Sequence, residues 1–199
     1  METISRYCRI RDKIITTGEG TLFMADLPFP EWQEAAFSFL NINYPKYYRM
    51  DPLSRLGFIA AELVLKDAIT EYQPESVAIV FANRSASLDT DQRYYHAAKL
   101  VSSPGLFVYT LPNIVTGEIA IRHQLKGENA FFVFEHFDAE LLREYVHQLL
   151  EQPSVNACLA GWVEVLGAHH DVLLYLVEKR PGHGDLPHTT EQINSLYRK

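Results

Sequence analysis

Two short apolar runs stand out along the chain, Val77-Ala78-Ile79-Val80-Phe81 and Ala130-Phe131-Phe132-Val133-Phe134. The first has few polar breaks, as expected of a strand buried on both faces, which implies a sheet with helices on either side. The second reads as another fully apolar strand. Around them the apolar period changes to that of a helix. Leu56, Ile59, Ala60, Leu63 and Val64 predict a helix from Asp51-Pro52 to about Thr70, with Asp51 as cap and Pro52 at the first helical position. Asp89-Thr90-Asp91 is placed to cap a helix through Val101, and Pro104-Gly105 starts a loop. Ile114 to Leu125 reads as a helix ending at Gly127 in the C′ position. Phe137, Leu141, Tyr145 and Leu149 mark the buried face of the helix after the second strand.

The flanks are less regular. Cys8-Arg9-Ile10 and Lys13-Ile14-Ile15-Thr16 read as short strands closed by Gly18-Glu19-Gly20, and Glu31 to Leu40 as a short helix after Pro28-Phe29-Pro30. Asn156 to Val165 and Asp171 to Glu178 read as two strands joined by Gly167-Ala168-His169-His170. Pro181 to Asp185 is loop, with a terminal helix after it. Alternating strands and helices followed by a strand pair indicate an α/β domain.

Composition narrows the function classes. A chain of 199 residues with 47% hydrophobic and 22% charged residues suits one globular domain. Met1-Glu2-Thr3 opens into a polar, basic run and not a secretory signal, and no apolar run approaches a membrane span. Cys8 and Cys158 make neither a disulfide framework nor a zinc site, so a reducing cytoplasm is expected. A net charge of -7 argues against nucleic acid, which selects a basic face.

Several phrases resemble the β-ketoacyl-acyl-carrier-protein synthases, the condensing enzymes of thiolase fold. Met50-Asp51-Pro52-Leu53-Ser54-Arg55-Leu56, followed by Ala60-Ala61-Glu62, looks like that family's first long helix. The most specific match is Thr110-Leu111-Pro112-Asn113, then Gly117-Glu118-Ile119-Ala120-Ile121-Arg122, then Leu125-Lys126-Gly127-Glu128-Asn129. Cys158-Leu159-Ala160-Gly161-Trp162-Val163-Glu164 is similar to a later strand of the family. These phrases run in the family's order from about Met50 to Arg180, leaving the tail from 181 to 199 outside. The resemblance implies an N-terminal thiolase-like half-fold: α/β, a mixed, mostly parallel sheet with helices on both faces, the whole of 1–199 forming one domain.

The chemistry of the family does not come with the resemblance. In synthases a nucleophilic cysteine stands where the strand after Asn129 turns into a helix, and the helix N-terminus lowers its pKa. No serine, threonine or cysteine lies between Asn129 and Ser154. The expected position falls near His136, flanked by Glu135 and Phe137, and the family's second half, with its further catalytic side chains, has no counterpart. Where the family has a glycine-rich turn after the Val77 strand, this chain has Ala82-Asn83-Arg84-Ser85-Ala86-Ser87. Glu135 and His136 are the candidates for a repurposed acid–base pair; alternatively His136 caps the helix and fills the vacated space.

Other groups suit simpler roles. Cys8 and Cys158 suit structural positions. His169, His170, Asp171, His183, Asp185 and His188 lack zinc-ligand spacing and read as solvated loop residues, so no metal is assigned. Gly18-Glu19-Gly20 is too short for a phosphate loop, and no cofactor is expected. Arg49, Arg55, Arg122 and Lys126 form a candidate basic patch for an acidic acyl carrier protein.

The expected function is therefore a non-catalytic ketosynthase-like partner, resembling a chain length factor, in fatty-acid, polyketide or polyene assembly. The alternatives are an acyl-thioester-handling enzyme using Glu135 and His136, or a dimerising remnant without activity. A homodimer, or a heterodimer with a complete ketosynthase, follows from the half-fold, with contact residues Asn113, Ile114, Gly117, Ile119, Ile121, Phe131, Phe132 and Val133.

Overall fold

The structure is a computed structural model that describes residues 2–101, 103–179, 182 and 185–198. The chain opens with a meander of three strands, β1 (Thr3–Arg11), β2 (Ile14–Thr17) and β3 (Gly20–Met24), followed by α1 (Phe29–Phe39) and α2 (Pro52–Leu65). Next come β4 (Val77–Asn83), α3 (Leu88–Ala98), the one-turn α4 (Pro104–Phe107) and α5 (Ile114–His123). The remainder is β5 (Asn129–Val133), α6 (Ala139–Glu151), the hairpin of β6 (Ala157–Leu166) and β7 (His169–Glu178), the short β8 (Leu186–Pro187) and α7 (Thr190–Arg198).

All eight strands join one mixed sheet in the order β3-β2-β1-β7-β6-β4-β5, with β8 also on β1. Its parallel part is β6-β4-β5, built by crossovers through helices; the remaining pairs are antiparallel. Side chains alternate between its two faces along the central strands β4, β6 and β7. Ile79, Phe81, Leu159, Val163, Val172 and Leu174 face a core completed by α1, α2 and α5. Ala78, Val80, Cys158, Trp162, Leu173 and Tyr175 face a second core completed by α6 and α7. The helices therefore lie on both faces, as the buried Val77 run required. No helix among the described residues is long and apolar enough to cross a membrane.

Asp51 caps α2 as the sequence indicates: its carboxylate accepts the Ser54 N–H at 2.9 Å, and Pro52 opens the helix. The helix stops at Leu65, short of Thr70, because Lys66 turns extended and Asp67 enters the left-handed region at φ 60°. Other expectations need correction. Lys13 is not in a strand; with Asp12 it forms a two-residue hairpin turn, both at positive φ. The α3 helix begins after Ser87 and ends at Ala98, while Asp89, expected as a cap, instead accepts the Gly167 N–H. Pro104-Gly105 opens a helical turn and not a loop. Gly127 does not terminate α5; Gln124 does, in the left-handed conformation. Gly127 is small for a different reason: a β-carbon there would stand 2.3 Å from the Val77 carbonyl oxygen.

Two misreadings concern the end of the chain. His169 and His170 belong to β7, so the hairpin turn is only Gly167-Ala168. The tail packs on the sheet: α7 buries Ile193 and Leu196, and His188 is buried with its Nδ1 3.0 Å from Glu2 Oε2.

Candidate functional site

Parallel strands deliver their C-terminal ends to one place, where ligands of α/β sheets commonly bind. Here the loops after β4 (residues 84–87) and after β5 (residues 134–138), the far end of β6 and the start of β7 surround a cleft of about 860 Å³. It opens on the α6–α7 face. Glu135, His136 and Phe137 line it. Both Glu135 and His136 are solvent-exposed. His136 does not cap α6. Asp138 does: its Oδ1 accepts the N–H groups of Glu140 and Leu141, each at 3.0 Å.

The opposite wall carries a second filled set of donors. Glu164, almost wholly buried in β6, accepts the Arg84 N–H at 2.8 Å and the Ser85 N–H at 3.1 Å through the same oxygen. Asn83 holds this loop, accepting the Ala86 N–H and donating to its carbonyl, both at 2.9 Å, while Ala86 adopts φ 50°. Backbone N–H pairs of these kinds are what would stabilise an oxyanion in acyl transfer. One carboxylate already occupies each pair, Glu164 in the cleft wall and Asp138 next in sequence to the lining residue Phe137. A negative charge developing beside them would meet Asp138 and Glu164.

Opposite Glu164 in the antiparallel register stands Asp171. Arg11 of β1 grips it through Nε at 3.0 Å and Nη2 at 2.8 Å, and the Tyr197 hydroxyl of α7 donates to its other oxygen. Tyr197 stacks on Phe137 at 3.8 Å. Burial, then the hydrogen bond to Asp171, pushes the Tyr197 phenol above its ordinary range. The polar residues Glu164, Arg11 and Tyr197 were not anticipated. A lone carboxylate inside the apolar Trp162-Val163-Glu164-Val165 run was the signal for the first; nothing local marks Tyr197.

The remaining candidates scatter. Cys8 and Cys158 lie on opposite faces of the sheet, fully buried, with thiols pushed up by burial. His170 is not a solvated loop residue: it stacks on Phe29 at 4.4 Å, accepts the Lys13 N–H, and burial lowers its pKa. Asp185 accepts the Thr3 hydroxyl, and His188 meets Glu2, at the far end of β1 from Asp171. His183 lies outside the described residues. No group of three His, Cys, Asp or Glu among the described residues is placed to hold a metal. The basic patch is largely paired: Arg122 with Glu62 at 2.7 Å, Arg55 with Glu34 at 3.6 Å and Lys126 with Glu75 at 3.7 Å, leaving Arg49 exposed.

The expected contact surface is mixed. β5 is the open edge of the sheet, with Val133 54% exposed, and Ile121 on α5 is 63% exposed. Phe131, Phe132, Ile114 and Gly117 are half-buried and Asn113 exposed. Ile119 is fully buried in the core, contrary to expectation. Its place on α5 faces α2, where Gly57 brings the helix so close that a β-carbon would touch Val115 at 2.5 Å. Larger apolar exposure follows α3, at Leu100 (89%) and Val101 (76%).

No family model and no curated protein matches the sequence. Solved structures do match in fold. The ishigamide ketosynthase/chain length factor superposes with TM-score 0.68 at 16% identity, covering 94% of this chain and 64% of that one. A chain of the ketosynthase ApeO in complex with its chain length factor ApeC, from Xenorhabdus doucetiae, gives TM-score 0.60 at 14% identity, covering 98% and 90%. The AntDE:AntF assembly, a type II polyketide acyl-carrier protein in complex with its ketosynthase, gives TM-score 0.62 at 13% identity, covering 89% and 62%. This chain thus spans a little under two thirds of the first and third. Its fold is that of a thiolase-like ketosynthase half.

Proposed function

We propose that this chain, 1–199 acting as one ketosynthase-like domain, is a non-catalytic subunit that pairs with a complete ketosynthase as a chain length factor does. The pathway class is fatty-acid, polyketide or polyene assembly, in the cytoplasm, with an acyl carrier protein as a further partner. One observation carries the reading: the cleft at the strand–helix junction offers exposed Glu135 and His136 in place of a nucleophile, and carboxylates already fill both pairs of backbone donors beside it. Its fold neighbours support a role in pairing. The open β5 edge, with Ile121 and Val133 exposed, supplies a surface suited to that.

Two measurements test it. Incubation with acyl and malonyl carrier thioesters should leave the intact mass unchanged; a stable acyl adduct would overturn the non-catalytic reading. Co-expression with a ketosynthase encoded beside it should give a one-to-one complex, and Val133→Lys with Ile121→Lys should abolish capture. A stable interface would bury on the order of 1,200–2,000 Å². Light scattering showing a monomer at high micromolar concentration, with no ketosynthase captured, would sink the pairing. The thioester-handling alternative gains only if measured turnover disappears in His136→Ala at unchanged melting temperature.

A further inference from the structure

Tyr197 is held in the cleft by contacts suited to each part of a phenol. Its ring lies on Phe137 at 3.8 Å, 14° from parallel. The Arg11 guanidinium also covers the ring, 4.7 Å from its centroid. Its hydroxyl donates to Asp171 Oδ2 at 2.5 Å. Trp162 meets Phe137 at 5.9 Å with the two rings perpendicular.

The receptor and its occupant belong to different parts of the molecule. Arg11 and Asp171 are register partners on β1 and β7 and grip each other through two hydrogen bonds, so their geometry is set by the sheet. Tyr197 belongs to a nine-residue helix that buries only Ile193 and Leu196. Short elements with few buried apolar side chains open at lower cost than the sheet they rest on. The rest of the cleft, with about 860 Å³, lies next to the ring and has room for a substituent.

We propose that the part of the cleft between Phe137 and Asp171 is a binding slot for 4-substituted phenols, which the chain keeps filled with its own Tyr197, so that α7 is a displaceable plug. An aromatic ring answers Phe137 and Arg11, and a hydroxyl opposite the point of attachment answers the Asp171 carboxylate. This holds whether or not the chain pairs with a ketosynthase.

The test empties the slot and offers it a surrogate. Full-length Tyr197→Ala protein is titrated with p-cresol and with toluene, by calorimetry and ligand-observed nuclear magnetic resonance. In Tyr197→Ala, p-cresol should bind at least about tenfold more tightly than toluene, the worth of one hydrogen bond to a charged acceptor. Wild-type protein, its slot filled, should bind p-cresol at least about tenfold more weakly than the variant. Equal affinity for the two ligands, or equal affinity of the two proteins for p-cresol, would overturn the proposal. Should Tyr197→Ala not fold, Tyr197→Phe keeps the ring and removes only the hydroxyl. Hydrogen–deuterium exchange over Leu196 to Arg198 should then rise several-fold above wild type. Unchanged exchange there would show that the hydroxyl does not hold the plug, and the proposal would fail.

Discussion

A β-carbon on Gly161 would stand 1.9 Å from the Leu173 carbonyl oxygen, and the residue holds φ at +150°. Gly161→Ala must therefore separate β6 from β7 at the middle of the sheet, or strain its own backbone. We expect a loss on the order of 3 kcal/mol or more, read as a lower urea midpoint. Gly161 was legible only as part of a phrase; the reason for it lies on the neighbouring strand. Histidines set a second residue-scale expectation. Burial lowers the His188 pKa from its ordinary 6.5, outweighing the opposing hydrogen bond that its Nδ1–H donates to Glu2; nearby Arg143 and His147 lower it further. Its Nε2 is buried without a partner, so protonation would add a donor with nothing to receive it. A depressed histidine contributes stability that is present above about pH 6.5 and lost as pH falls below it. His170, also lowered by burial, acts in the same direction. The melting temperature should therefore drop from pH 7 to pH 5, and His188→Asn should flatten that drop.

At the scale of elements, legibility follows how local each signal is. Asp51-Pro52 could be read because a cap and its helix are neighbours in sequence. β3 could not, since Gly20–Met24 is an edge strand with mostly exposed side chains and no apolar period. The end of α5 is not legible at Gly127 because that residue serves close packing against Val77 and has no part in the helix. The two aspartate caps provide a matched comparison. Asp138 caps α6 at the surface, and Asp138→Ala should cost about 1 kcal/mol. Asp51 is buried and also accepts the Thr90 hydroxyl at 2.7 Å. Asp51→Ala strands that hydroxyl in the core, so its cost should reach about 2–3 kcal/mol. Chemical denaturation of both variants checks the order; equal losses would mean the Thr90 contact contributes nothing.

At the scale of the whole molecule, the half-fold was readable from phrases in order. The cleft was not, because Phe137, Asp171 and Tyr197 meet only after distant segments assemble. That same topology has a temporal consequence. β1 lies inside the sheet: β7 covers one side of it along its length, while β2 and the short β8 share the other, so that Thr3 stands between Glu178 and Pro187. During synthesis β2 and β3 can fold back on β1 at once, since both hairpins are local. The opposite side of β1 must wait for a strand some 160 to 175 residues later. At roughly 5–20 residues per second, that wait is on the order of ten seconds. For that time Cys8 and Ile10, fully buried in the finished sheet, belong to a strand whose other neighbour does not yet exist. The chain thus leaves the ribosome with its first strand half-paired, and whatever shelters that edge in the cell, a chaperone or an early partner, governs how much of the protein reaches the folded state.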